Sequence, residues 1–380
     1  MRWGKSSIAD ELRPLDLPRG EGVYLVGGAV RDVLLGRESF DVDIAVEGDG
    51  IAFARSLGGE VVEHGRFGTA VVRFPDGRRC DVVTARRETY GAPAALPEVE
   101  AGTIEDDLAR RDFTVNAMAA SLGDDLGRLV DPHDGRGDLD ARAIRVLHPR
   151  SFVDDPTRIF RAVRYEARLG FRMDAETERL AREGVAGTAL LSAARMREEV
   201  VALLSEDRAE PALERLAELG AAPRSEPGLI ARLDALRAEL DPGAPLWRLR
   251  LAALAAADPG LASRLALRRA DTRAVEEAVA VAPRLAEATG PVEIAELAGR
   301  APEGALLALA RRDSPALREW FTRLRDVRLE VNGDDLAELG LAESPRVGEI
   351  LEELRRRKLQ GKLDGREAEL AAARDLIADV

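Results

Sequence analysis

Val23-Tyr24-Leu25-Val26-Gly27-Gly28-Ala29-Val30-Arg31-Asp32, with Asp41-Val42-Asp43 after it, decides how this chain is read. The four apolar residues read as a buried strand that ends at two glycines, and 29–35 then take up helical spacing. A strand that runs through glycines into a helix lets backbone N–H groups approach a phosphate closely, with the helix N-terminus behind them. Arg31, in the first turn, adds charge-assisted contacts. Residues 41–46 alternate polar and apolar, as a half-buried strand does, so Asp41 and Asp43 project from one face. Two hard oxygen ligands on one edge suit Mg²⁺ whose octahedron is completed by substrate phosphates. Two metal ions held this way activate an attacking hydroxyl and neutralise a leaving pyrophosphate. A lone GG is usually a turn and a lone DxD usually a solvated surface, but in this order they favour a nucleotidyl-transfer site.

Working outward, 61–62, 70–74 and 80–83 read as further strands, and Pro75-Asp76-Gly77 makes 70–83 a hairpin. Asp81, on its second strand, is a candidate third catalytic carboxylate. Helical spacing covers 51–57. After about residue 150 the β pattern ends, and 176–204, 210–219 and 229–239 carry period-3.6 apolar spacing in strong helix formers. Pro and Gly clusters at 222–223, 241–243, 258–260, 289–291 and 301–302 mark breaks, with no fixed repeat period. The expectation is a small α/β head followed by an all-helical remainder.

Composition removes other classes. A chain of 380 residues is long enough for two to four domains. Acids outnumber bases 69 to 56, a net charge of −13, which excludes a uniformly basic nucleic-acid binder but not a local basic patch. Aromatics, at 4%, are too few for an extended base-stacking platform. Cys80 is the single cysteine, so no intrachain disulfide or thiolate zinc cluster forms, and His64, His133 and His148 lack metal-ligand spacing. Lysine is confined to Lys5, Lys358 and Lys362, leaving arginine, the better fork for phosphate, to carry the positive charge. The N-terminus shows no signal-peptide pattern and no apolar run reaches the ~18 residues of a membrane span, so a cytoplasmic location is expected.

Two more constellations lie downstream. In Arg110-Arg111-Asp112-Phe113-Thr114-Val115-Asn116, the functional reading gives Arg111 to a triphosphate and Asp112 or Asn116 to ribose hydroxyls; the bland reading is a helix cap beside a salt bridge. In Asp154-Asp155-Pro156-Thr157-Arg158-Ile159-Phe160-Arg161-Ala162-Val163-Arg164-Tyr165, an Asp before Pro is a good N-cap with Pro at N1. Arg158, Arg161 and Arg164 form a band winding about half way round that helix. Asp155 and Arg158, one turn apart, together offer an acceptor and donors to a base edge, enough to read cytosine and adenine without a template.

These motifs resemble the class II tRNA nucleotidyltransferases, the group containing bacterial CCA-adding enzymes and poly(A) polymerases. The likeness rests on LVGGAVRDVLLG with DVD, RRDFTVNAMA, and DPHDGRGDLDARAIRVLHPRSFVDDPTRIFRAVRYEARLGF, over about 22–205. Arg195-Met196-Arg197-Glu198-Glu199 is similar to the family's last head-side motif. The family's usual Glu-Asp pair is Asp154-Asp155 here. The resemblance implies an α+β head with a nucleotidyltransferase-type mixed sheet (1–145), then an all-α neck (146–205), body (206–325) and tail (326–380). It implies that Gly28, Arg31 and Arg111 contact the incoming ATP or CTP, that Asp41 and Asp43 hold two Mg²⁺ ions, and that Asp155, Arg158, Arg161 and Arg164 form the base-selecting neck. The 340–351 stretch is similar to the tail of many members. It runs into Arg355, Arg356, Arg357, Lys358 and Lys362, either a solvated helix face or an RNA-backbone contact.

The activity implied is template-independent addition of CCA, or part of it, to tRNA 3′ ends, with tRNA as the macromolecular partner and no obligate protein partner evident. Around 93–97, and through SFVDDPTRIFRAVRYE, the chain is also similar to the A-adding subgroup. A CC-adding or A-adding enzyme of a split system, a poly(A) polymerase and a catalytically dead RNA-binding module are the other readings. Retention of both Asp41 and Asp43 places the last of these lowest.

Overall fold

The computed structural model describes residues 7–13, 15–37, 42–64 and 68–378. It divides into two compact units, Met1–Arg224 and Ser225–Val380.

The first unit is built on a seven-stranded mixed sheet. Its strands are β1 (Val23–Val26), β2 (Val42–Val46), β3 (Glu60–His64), β4 (Thr69–Arg73), β5 (Arg79–Thr84), β8 (Ala119–Ser121) and β9 (Leu129–Val130), in the order β3-β4-β5-β2-β1-β8-β9. β6 (Arg86–Thr89) and β7 (Glu98–Ala101) form a separate antiparallel hairpin. β2 runs antiparallel to β1 and parallel to β5, in a register that sets Asp43 beside Asp81. The core of this sheet is aliphatic: Leu25, Ile44, Ala45, Val72 and Val82 are all buried.

Helices α1 (Ile8–Leu12), α2 (Gly28–Leu34), α3 (Gly50–Ser56), α4 (Ile104–Ala109) and α5 (Gly135–Ala141) accompany the strands. Two-residue strands β10 (Ala143–Ile144) and β11 (Arg172–Met173) pair in parallel and bracket α6 (Ser151–Asp154) and α7 (Thr157–Leu169). α7 buries Ile159, Phe160, Ala162 and Val163 along one side and stops at Gly170, in the left-handed conformation that commonly ends helices. α8 (Ala175–Gly184), α9 (Ala193–Leu204) and α10 (Ala209–Leu219) complete the unit.

The strands expected at 23–26, 41–46, 61–62, 70–74 and 80–83 all form, apart from Asp41, which lies outside the described residues. Two expectations change. The 176–204 stretch is not one helix: a 3₁₀ turn at Val185–Leu190 interrupts it, and Ser192 caps a new start by accepting the Arg195 N–H. β11 carries β structure past residue 150, too short at two residues to leave a period in the sequence.

The second unit is helical among its described residues. α11 (Leu229–Leu240), α12 (Leu246–Ala255), α13 (Leu261–Arg264), α14 (Arg269–Glu287), α15 (Pro291–Arg300), α16 (Pro302–Arg311) and α17 (Pro315–Thr322) pack around α16, whose residues 303–310 are all buried. Pro291, Pro302 and Pro315 open their helices, where the missing N–H costs nothing. α18 (Gly333–Glu338), α19 (Pro345–Leu359) and α20 (Gly365–Ala378) enclose a smaller core of Val331, Leu336, Ile350, Leu354 and Ala373. No helix among the described residues is long and apolar enough to cross a membrane.

Candidate active site

β1 ends at Gly27, whose φ of 68° and ψ of −131° only glycine adopts readily. A Cβ at this position would also run into Arg111 Nη1. Gly27 N–H donates to the Met118 carbonyl (3.1 Å), and its own carbonyl accepts the Arg31 N–H to open α2. The reversal brings Gly28, Arg31 and Asp32 onto the wall of a cavity of about 680 Å³, within the range of small-molecule sites. Six arginines line that cavity: Arg31, Arg110, Arg111, Arg158, Arg161 and Arg168.

Most of these cations are held in place. Arg31, buried, makes two bonds to Asp32 (3.0 and 2.9 Å) and donates Nη1 to Asn116 Oδ1 (2.6 Å). Asn116 Nδ2 donates to Asp112 Oδ1 (3.0 Å), and Asp112 Oδ2 accepts from Arg161 Nε (2.8 Å). Burial alone would raise the Asp112 pKa, but the Arg161 charge and the Asn116 bond outweigh it and leave it below the ordinary carboxylate value. The same balance lowers Asp107, which is fully buried between Arg111 (2.9 Å) and Arg110 (2.6 Å). Arg111 therefore faces the glycine turn while anchored from behind. This is the geometry of a preorganised polyanion site: fixed cations that need no reordering when phosphate arrives.

A second set of groups lining the cavity is different in kind. Asp155 Oδ1 accepts from Thr157 N (3.0 Å), Thr157 Oγ1 (2.6 Å) and Arg195 Nη2 (2.7 Å). It caps α7 as the sequence suggests, and its carboxylate still lines the cavity. Arg158 is buried, donating to Ser151 Oγ (2.7 Å) and the Arg110 carbonyl (2.9 Å). Tyr90 and Glu88, from the β6–β7 hairpin, line the cavity as well. Burial, with Glu88 next to it, pushes the Tyr90 phenol up to about 12. Acceptor and donor groups fixed within one pocket are what base-edge recognition requires.

At the strand edge Asp43 lines the cavity. Asp81 is its register neighbour, yet its carboxylate bonds to Arg79 (2.9 and 2.8 Å) and does not line the cavity. Asp41 lies outside the described residues, and among the described residues no three His, Cys, Asp or Glu side chains gather as a metal cluster. The donor chemistry fits Mg²⁺: Asp43 is a hard oxygen donor on the cavity wall. Asp43 and Asp81 also act on the thiol of Cys80, the residue before Asp81 on β5. Burial first, then these two carboxylates, push that thiol up to about 12.

Other expectations are revised. Arg164 does not line the cavity. Its guanidinium turns to Glu199 (3.1 Å) and Glu206 (3.2 Å), because at that position α7 faces α9 rather than the sheet. Arg168, one turn further, reaches the rim instead. Asp112 and Asn116 line the cavity but are committed to Arg161 and Arg31. In the basic run, Arg356 pairs with Glu296, Arg357 with Glu353, and Lys358 with both Glu330 and Glu369. Within this run Arg355 and Lys362 make no ion pair to another described residue. The sequence reading missed Arg110, Asp107, Glu88, Tyr90 and Arg195 as site residues. Arg110 and Arg195 carried a signal, their places in the RRDFTVNAMA and RMREE motifs.

The family of the Poly A polymerase head domain matches residues 23–145, and that of the probable RNA and SrmB-binding site of polymerase A matches 170–232. The chain is 35% identical to the CC-adding tRNA nucleotidyltransferase of Deinococcus radiodurans, over 98% of this chain and 95% of that protein. The chain belongs to the class II tRNA nucleotidyltransferase and poly(A) polymerase family. Within that family it is also 36% identical, over 96% of its length, to an A-adding tRNA nucleotidyltransferase of Geobacter sulfurreducens, of which it spans only 46%. The structure of the Thermotoga maritima CCA-adding enzyme complexed with tRNA is similar at a TM-score of 0.73, with 29% identity over 98% of this chain and 93% of that one.

Proposed function

We propose that this protein is a template-independent tRNA nucleotidyltransferase that adds all or part of the CCA end to tRNA from CTP and ATP, releasing pyrophosphate. One observation carries the reading: a single cavity is lined by a glycine turn with anchored arginines, by Asp155 and Arg158, and by Asp43. The first of these sets has the chemistry for a triphosphate, the second for a base with an exocyclic amine.

In this mechanism Arg31 and Arg111 hold the phosphates, and the tRNA 3′-hydroxyl attacks the α-phosphorus. The new P–O bond forms as the bond to pyrophosphate breaks. Asp43, with Asp41, would hold Mg²⁺, which when bound neutralises charge on the transferring phosphates and assists loss of the hydroxyl proton. No covalent enzyme intermediate is needed, since positioning and electrostatics supply the acceleration.

Addition of only one part of the end, A alone or CC alone, is the second reading. It is favoured by the similarity to a CC-adding relative over nearly the whole of both chains, and to an A-adding relative of which this chain spans 46%. One assay separates the readings: tRNAs lacking the end, ending in CC and ending in CCA are incubated with CTP or ATP separately, and the products are sized. Extension of the first substrate by C and of the second by A gives the full activity; extension of one alone gives the split one. No extension of any substrate overturns the proposal.

A further inference from the structure

Tyr165 lines the cavity, and no motif reading gives it a role. Its ring centroid lies 5.4 Å from the Arg31 guanidinium carbon and 5.8 Å from that of Arg161. Its hydroxyl accepts a hydrogen bond from Arg161 Nη2 (3.3 Å). From the core side, the fully buried Phe113 meets the ring edge to face, with centroids 5.8 Å apart at 82°.

These contacts close a circuit. Arg31 bonds Asn116, Asn116 bonds Asp112, Asp112 pairs with Arg161, and the Tyr165 ring links Arg161 back to Arg31. Each of the two cations already has a carboxylate of its own, Arg31 with Asp32 (3.0 and 2.9 Å) and Arg161 with Asp112 (2.8 Å), and the Tyr165 ring lies against both. An aromatic ring is suited to the space between: its face attracts a cation without presenting an acid that would compete with an incoming phosphate. Aspartate or glutamate there would neutralise the site. An aliphatic residue would leave the two guanidiniums unsupported on that side.

We propose that Tyr165 is a positioning residue for polyphosphate, an aromatic spacer that fixes the Arg31 and Arg161 guanidiniums at their separation before the ligand arrives. The inference rests on the nucleotidyltransferase reading for its ligand. The ring carries the role and the hydroxyl is secondary, because the hydroxyl reaches only Arg161.

The test measures equilibrium binding of inorganic tripolyphosphate, which has no base, and of ATP and CTP, to the full-length protein and its variants. Tyr165→Leu is expected to weaken tripolyphosphate binding by about 5- to 30-fold, the loss of two cation–π contacts. Tyr165→Met, a second apolar replacement, should do the same if Leu disturbs folding. Tyr165→Phe should stay within about 3-fold of wild type, a rescue by the ring alone. In combination with Arg31→Gln, the Leu substitution should cost less than it does alone, since the cation it steadies is gone. Unchanged tripolyphosphate affinity in both the Leu and Met variants overturns the proposal. So does a Phe variant as weak as Leu, or full additivity with Arg31→Gln. A wild-type protein that binds tripolyphosphate but neither ATP nor CTP instead overturns the nucleotidyltransferase reading and leaves the spacer tested on its own terms.

Discussion

Asp112→Asn is the substitution that best separates a ribose contact from an internal strut. Asparagine keeps the volume and an acceptor for the Phe113 N–H (2.8 Å), but it removes the charge opposite Arg161. Breaking a buried ion pair from one side costs roughly 3–5 kcal/mol, because the remaining charge stays desolvated. The Arg161 side chain is 35% exposed, so water recovers part of that, and about 2–3 kcal/mol is expected. For a unit of this size that corresponds to a Tm lower by about 5–10 °C. The pH dependence has a defined sign. The folded pKa of Asp112 lies below its unfolded value. Its contribution is therefore complete above the unfolded carboxylate pKa of ~3.9 and is lost as pH falls through the folded one. The gap in Tm between wild type and Asp112→Asn should be full at pH 7 and shrink only in strong acid. Thermal melts at several pH values, with Arg161→Met and the double variant, measure both the gap and the coupling. A variant as stable as wild type at pH 7, with additive energies in the cycle, would refute the strut and return Asp112 to the ribose.

Asp43→Asn should abolish nucleotide incorporation through loss of a cavity-lining oxygen donor; residual turnover near wild type with Mg²⁺ present would remove Asp43 from the metal site. Asp155→Ala should raise UTP and GTP incorporation relative to CTP and ATP and also cost about 1 kcal/mol of stability, because the same carboxylate caps α7 and anchors Arg195. A stability loss with selectivity intact, in a four-nucleotide incorporation assay, would leave it a cap alone. In the tail, Arg355→Gln with Lys362→Gln should weaken tRNA binding and flatten its salt dependence, whereas Lys358→Met should mainly lower stability by exposing the need of buried Glu369 for a counter-charge. Filter binding across a salt series, set against thermal melts, distinguishes the two.

The sheet was legible where an unbroken apolar run or an alternating pattern held for four residues or more and a turn residue closed it, as at Val23–Val26 and on both sides of Pro75-Asp76-Gly77. The two-residue strands β9, β10 and β11 were not, since they are made by tertiary pairing rather than by any local period. The same division holds in the site. Gly27, Arg31, Arg111 and Asp155 sit in motifs whose spacing implies their chemistry. Asp107 and Glu88 look in sequence like ordinary surface acids. Only the fold shows that Asp107 is buried beneath two arginines and that Glu88 joins Arg86 to Arg110 (2.7 and 3.2 Å). Arg164 shows the converse: a three-residue spacing rotates each successive side chain, and by the third arginine the helix has turned it toward α9.

Cys80 sits within the sheet between Val72 and Val42, its Cα partners on the flanking strands, its thiol closed to solvent and held almost wholly protonated at neutral pH. Thiol reagents act on the thiolate, so maleimides and iodoacetamide should pass the folded protein by. The native sequence thus serves as its own cysteine-less background. A cysteine introduced at an exposed position, such as Leu96 on the β6–β7 hairpin, would take a fluorophore or spin label by itself, with no need to remove the natural one.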